Sequence, residues 1–270
     1  MTDTAVYLYA VTNARDPVAG AVAGVSGSRV RVAEHSGLTA VVSTVPLAEF
    51  GERALRENLE DLAWLEAIAR AHDAVVRTVA GRGPTAPVRL ATVFHDDRRV
   101  RELLEERRGG IERALSRVAG RSEWGVKVYG TALTGSPAND QASLSPPAAV
   151  PEGAFSPAQR PGPGVAYLRR RSAQRRRRED ATQALAGRAE RVHARLAPHA
   201  IASHRHRLQD RRLSGHDGVM VLNAAYLIED PHAFTEAAAD LAARWDDMRV
   251  EVTGPWPAYS FTTIDGEERA

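Results

Sequence analysis

The sequence predicts an α+β protein built in two units, and three observations carry that reading. Segments with the apolar alternation of strands and segments with the three-to-four residue recurrence of helices succeed one another along the chain. One stretch breaks the pattern: residues 131–163 hold seven prolines and neither period, a composition that forbids both helix and ladder pairing. Beyond it the elements read strand, helix, strand, strand, helix, strand. A length of 270 residues accommodates two cores of about 100–200 residues each.

The first unit, 1–121, is expected to be a mixed α/β sheet domain. Residues 5–11 (AVYLYAV) are apolar on both alternating faces, as in a central strand covered on two sides. Gly20, Gly24 and Gly27 follow in a small-residue stretch that reads as a flexible connector, since their spacing fits neither a dinucleotide fingerprint nor a phosphate loop. Residues 30–32 and 38–45 flank Glu34-His35-Ser36-Gly37 and predict a hairpin. A single helix is expected over 54–80, with Leu55, Leu59, Leu62, Leu65, Ala69, His72, Val76 and Val79 on one stripe. On that stripe His72 reads as a hydrogen-bonded core or boundary histidine. Gly81, Gly83 and Pro84 end the helix. A strand is expected over 87–94 (PVRLATVF), then a second helix from the Asp96-Asp97 cap to 118, with Leu103, Leu104, Ile111, Leu115 and Val118 inward.

The second unit, 122–254, becomes legible once 131–163 is treated as an insertion, a mobile surface linker or loop. Strands are expected at 123–129, 201–208, 218–228 and 249–253, with helices at 166–196 and 231–245. Asp230 caps the latter and Pro231 takes its first position. The order βαββαβ is that of a ferredoxin-like domain, an antiparallel sheet with both helices on one face. Residues 255–270 form a tail expected to pack on the domains.

Composition narrows the function. The absence of cysteine excludes disulfide scaffolds, CxxC redox sites and thiolate metal centres. No apolar run reaches the roughly 18–20 residues of a membrane span, and the N-terminus lacks a secretion signal, so a soluble, intracellular protein is expected. The net charge of +2 comes from 36 basic and 34 acidic residues, all but Lys127 of the bases being arginine. It is unevenly laid out: residues 1–163 balance 19 bases against 19 acids, 164–215 hold 14 against 4, and 216–270 hold 3 against 11, giving 0, +10 and −8.

No nucleophile elbow, HExxH pair or calcium loop occurs, so no enzyme, cofactor or metal is expected. His204 and His206 share a strand face, but Arg205, Arg207, Arg211 and Arg212 beside them disfavour a cation. The pairs Asp96-Asp97, Glu105-Glu106 and Asp246-Asp247 read as caps and solvated runs. Arg169-Arg170-Arg171 and Arg175-Arg176-Arg177-Arg178 are the strongest local signal. They suit a solvated, partly self-paired helix surface, an acidic protein partner, or nucleic acid. Against the last, the strand at 218–228 offers only Tyr226 for base stacking. At the C-terminus Trp256, Tyr259 and Phe261 stand in an extended segment fixed by Pro255 and Pro257. Those rings either cover the sheet or form part of a partner surface.

Several motifs, in order, resemble the gas vesicle protein F/L family (GvpF/GvpL): VYLYAV at the start, RAHDAVVRTV…PVRLATVF at 70–94, EWGVKVY at 123–129, PGPGVAYLRRR at 161–171, VMVLNAAYLIE at 219–229 and VEVTGPWPAYSF at 250–261. Two departures stand out: the family tends to have glycine where Ala91 stands, and the proline-rich stretch is longer than the family's loop. The resemblance implies two α/β domains, the second ferredoxin-like. It also implies a non-enzymatic accessory or minor structural role in making the gas vesicle, the protein-walled organelle that confers buoyancy. The partners implied are the small hydrophobic shell protein and other gas vesicle accessory proteins, with the vesicle and the cytoplasm as location and no membrane or nucleic acid. Trp256, Tyr259, Phe261, Arg169, Arg170, Arg175 and Arg176 are the candidate partner-binding residues. A nucleic-acid-binding protein using the arginine-rich helix is the alternative reading.

Overall fold

The computed structural model describes residues 3–18, 22–130, 163–209, 218–244 and 248–262; at 163–166, 170, 177 and 178 only the helical backbone is described. The expectations for the stretch at 131–162 and for the tail beyond 262 lie outside those residues. Two antiparallel sheets with helices form a mixed α+β architecture.

The first sheet holds β1 (Thr4–Thr12), β2 (Val30–His35), β3 (Leu38–Pro46), β4 (Thr85–Pro87) and β5 (Val93–Phe94), in the order β2-β3-β1-β4 with β5 also pairing with β1. The central strand is buried at every position but Thr4, because its two faces serve two cores. Tyr7 and Tyr9 meet Phe50, Ile68, Val75, Val76 and Val79 on one side. Val6, Leu8 and Val11 meet Val100, Leu104, Ile111 and Leu115 on the other. The hairpin turns through Ser36 and Gly37, both at positive φ (50° and 81°), the backbone a two-residue hairpin turn demands.

Four sequence expectations for this half need correction. The helix expected over 54–80 is broken into α1 (Leu47–Phe50), α2 (Glu52–Asn58) and α3 (Leu62–Ala80). Asp61 starts α3 anew, its carboxylate accepting from the Ala63 and Trp64 N–H groups, and Leu59 and Leu62 are exposed. The inward stripe is therefore Ile68, His72, Val75, Val76 and Val79. Residues 87–94 are not one strand, since the chain leaves the ladder between β4 and β5 and Ala91 adopts φ 63°. The helix at 97–118 divides into α4 (Asp97–Glu106) and α5 (Arg108–Val118). Arg107 sits at φ −106°, ψ 8° between them, next to Gly109 and Gly110, the poorest helix formers after proline. Residues 22–29 are an ordered turn rather than a flexible connector: Val25 is buried and its N–H donates to the Tyr9 hydroxyl at 2.9 Å. Gly24 lies so close to that hydroxyl that a Cβ there would clash.

The second sheet is β6 (Ser122–Gly130), β7 (Ala202–Arg205), β8 (Val219–Ile228) and β9 (Met248–Trp256), in the order β7-β8-β6-β9, all antiparallel. Its helices, α6 (Pro163–Leu196) and α7 (Pro231–Ala242), cover one face. Ala189, Val192 and Leu196 from α6 and Phe234, Ala237 and Leu241 from α7 meet Val126, Val128, Leu222, Ala224 and Tyr226. Four lengths differ from expectation: α6 starts three residues before 166, α7 ends three residues before 245, and two strands change. The strand at 201–208 keeps ladder geometry only at Ala202–Arg205, although Ile201 and His206 N–H groups still donate to Leu227 and Asn223 carbonyls. The last strand runs three residues further, to Trp256, which pairs with Glu123. No helix among the described residues is long and apolar enough to cross a membrane.

Candidate interaction surface

The opposite face of the second sheet is where the two halves and the C-terminal segment meet. Ala225 and Leu227 alternate with the residues facing the helices, so they point the other way. They are buried with Val118 at the end of α5 and with Ala258 and Phe261 of the C-terminal segment. Burying a ring such as that of Phe261 contributes about 1.5–3 kcal/mol, enough to hold the segment against this face.

Polar contacts fix its register. The Ser260 N–H and hydroxyl both donate to the Glu123 carboxylate, each at 2.7 Å, and the His206 Nε2 lies 3.3 Å from the same hydroxyl. Burial pushes the Glu123 carboxyl up from its ordinary range, and the two Ser260 hydrogen bonds offset part of that rise. Two turn bonds, from Tyr259 N–H to the Pro257 carbonyl and from Phe261 N–H to the Ala258 carbonyl, coil the segment tightly.

The same segment reaches the first half through Trp256 and Tyr259. The Arg77 guanidinium of α3 sits 4.3 Å above the Trp256 ring centroid, an attraction worth about 0.5–2 kcal/mol depending on exposure. The Tyr259 ring lies 6.4 Å from His72, itself buried in the first core. The His72 Nδ1 meets the Tyr7 hydroxyl at 3.0 Å, and that hydroxyl accepts from the Ala91 N–H. Burial pushes the His72 imidazole down to about 4, with the Val88 backbone and Asp73 opposing. The ring is thus neutral at neutral pH. Burial likewise raises the Tyr259 phenol, with Asp73 the next cause.

Beside this contact lies a groove of about 550 Å³ between the halves. Pro84 and Arg77 line it from the first half, Glu229 and Pro231 from the second, and Pro255, Trp256 and Pro257 from the C-terminal segment. Arg121 also lines it. Its guanidinium donates to the Arg117 carbonyl and approaches Glu229 at 3.6 Å, while its Nε is buried with no hydrogen-bond partner among the described residues. An apolar wall of prolines and one indole with two guanidinium groups at its edge can take an extended or helical segment that is chiefly apolar and carries an occasional carboxylate.

The candidate residues fall into two separate places. Trp256 lines the groove and Tyr259 stands close by, both a little over one-third exposed, whereas Phe261 is buried beneath them. Arg169, Arg175 and Arg176 are exposed on α6, where they line no part of this groove; Arg170 lies on the same helix, its side chain outside the described residues. Arg77, Arg121, Glu123 and Ser260 went unnoticed in the sequence. Arg77 and Arg121 look there like any exposed helix or loop arginine, and only the long-range pairing of β6 with β9 brings Glu123 to Ser260. His204 and His206 do share a face, with ring centroids 4.9 Å apart, and among the described residues no cluster of His, Asp and Glu suits a metal ion.

Comparison with known proteins places the chain. The family model described as gas vesicle synthesis protein GvpL/GvpF matches residues 5–263. Gas vesicle protein L of Streptomyces sp. (strain CB03234) is 42% identical over 268 residues, covering 99% of this chain and 96% of that protein. Gas vesicle protein F2 of Halobacterium salinarum is 26% identical over 277 residues, covering 100% and 98%. Among solved structures, the gas vesicle protein GvpF from Anabaena sp. PCC7120 superposes with a TM-score of 0.66 at 18% identity, covering 99% of each chain. GvpF from Microcystis aeruginosa gives 0.61 at 17%, covering 96% of this chain and 99% of that one. At such identities the two structures speak for the fold.

Proposed function

Because the chain belongs to the GvpL/GvpF family of gas vesicle synthesis proteins, we propose that it is a non-enzymatic accessory or minor structural protein that binds the hydrophobic shell protein and supports nucleation or growth of the vesicle wall. It does so from the cytoplasmic pool and at the vesicle. Its two units are an N-terminal α+β domain, 1–121, and a ferredoxin-like domain, 122–254, with the described part of the C-terminal segment, 255–262, as a strap across both. The strand order β7-β8-β6-β9 with two helices on one face supports the ferredoxin-like assignment.

The observation that carries the reading is the partly exposed Trp256 in the groove between the halves. A large indole held in place by a guanidinium from the other half is the kind of rigid aromatic anchor on which binding energy concentrates. Shell subunits that must stay apart before assembly expose apolar surface, and a proline-lined groove with flanking arginines suits such a segment. Tyr259 extends the apolar rim, and Phe261 acts through packing. The test is co-purification of co-expressed shell protein with the unaltered chain and with Trp256→Ala. The reading expects the variant to lose about 2 kcal/mol, roughly thirtyfold, in affinity. Equal capture by both chains, with the variant folded, overturns it.

A further inference from the structure

Among the described residues, no ion pair joins the arginine-rich start of α6 to the acidic residues of α7. At about 1.5 Å per residue, the 34 residues of α6 span roughly 50 Å, and among the described residues it meets the hydrophobic core through Leu185, Ala189, Val192 and Leu196. The part before Leu185 is an arm. Its described side chains from Tyr167 to Arg176 are all exposed. Arg169, Arg171, Arg175 and Arg176 spread around the helix rather than along one stripe. Among the described residues, the ion pair given to these four arginines is Arg175 with Glu179, one turn along the same helix.

The counterpart stands on α7. Glu236 and Asp240, four residues apart, share its outer face and are exposed. His232 is 3.9 Å from Glu236, and no arginine from the arm pairs with either carboxylate among the described residues. In the sequence, 169–178 carry seven arginines and no acid, while 229–247 carry six acids and one arginine.

We propose that the α6 arm docks on the acidic outer face of α7 in a second copy of this chain. A second copy answers both patches at once. A polyanion such as nucleic acid would satisfy the arm but meet repulsion from the acidic face carried by the same half. The contact is electrostatic and exposed, and so strongly salt-dependent. It uses neither Trp256 nor the groove, and its failure would leave the shell-protein reading standing.

Sedimentation velocity on the full chain tests it. The unaltered protein associates at low ionic strength, about 0.02 M, and returns to monomer at about 0.5 M. A chain with Arg169→Glu, Arg171→Glu, Arg175→Glu and Arg176→Glu stays monomeric, and so does a chain with Glu236→Arg and Asp240→Arg. An equal mixture of the two associates again, because each reversed patch meets its new complement. Circular dichroism checks that each variant folds. A monomeric unaltered protein at low salt, persistent association of the arm variant, or failure of the mixture to associate each overturns the proposal. Binding of duplex DNA by a protein that stays monomeric, lost in the arm variant, assigns the arm to nucleic acid instead.

Discussion

The guanidinium of Arg77 lies over the indole of Trp256 at 4.3 Å, joining the last turn of α3 in the first half to the end of β9 in the second. Below that contact, Ser260 binds Glu123 and Phe261 fills the sheet face. The C-terminal segment therefore does two jobs through one backbone: its buried residues fasten the halves together, and its outer rings shape the groove.

Arg77→Ala separates these jobs. The indole loses its cover but keeps its ladder position opposite Glu123. Stability is expected to fall by only about 0.5–1 kcal/mol, while capture of the shell protein drops severalfold. Phe261→Ala does the reverse first, lowering stability by about 3–5 kcal/mol. Urea unfolding alongside capture assays distinguishes them.

The neutral, buried His72 makes the first half acid-sensitive. Its folded value near 4 lies below the unfolded 6.5, so the unfolded chain binds the extra proton. The stability contribution is complete above the unfolded value and is lost as pH falls from about 6.5 towards 4, an effect of about 3 kcal/mol. His72→Phe, though less stable overall because Tyr7 loses its partner, should show a flatter loss over that window in chemical denaturation.

Glu123 titrates with the opposite sign. Its carboxyl is raised in the folded chain, chiefly by burial, so the folded form holds its proton longer. The stabilising contribution is present below the ordinary glutamate range and is lost as pH rises through the raised value. Thermal melts should show Glu123→Gln gaining on the unaltered protein across that interval, with the two curves running parallel above it.

Ala91 occupies a backbone position with φ 63°, where a Cβ costs about 1–2 kcal/mol. Its N–H is held there by the Tyr7 hydroxyl. Ala91→Gly should relieve the strain and, after the added freedom of the unfolded chain is subtracted, stabilise by about 0.5–1 kcal/mol in urea unfolding. Ala91→Val should destabilise.

The alternation in β1 and the hairpin around Ser36-Gly37 were plain in the sequence because local periodicity and turn chemistry decide them. So was the succession of strands and helices in the second half, and the motifs GPGVAYL at 162–168 and VTGPWPAYSF at 252–261 were specific enough to point to the family. The helix breaks at Asp61 and Arg107 were not. A cap inside an apolar stripe competes with continued helix on terms that only packing settles, and Ile68 and Val75 win the core from Leu59 and Leu62. The strand split at Ala91 was visible only as an alanine where the family tends to have glycine, a clue to positive φ rather than to sequence drift. The candidate surface was half legible. Exposed aromatic residues announce themselves in composition, whereas Arg77 and Arg121 acquire meaning only when the halves meet.

The central claim is that the groove at Trp256 receives the shell protein. A photo-crosslinking residue in place of Glu229, which lines the groove and leaves Trp256 intact, compared with one at the exposed Arg53 of α2, tests it in cells making both proteins. The account predicts a covalent adduct with the shell protein from position 229 and little from position 53. No adduct at 229, or equal labelling from both positions, would contradict it.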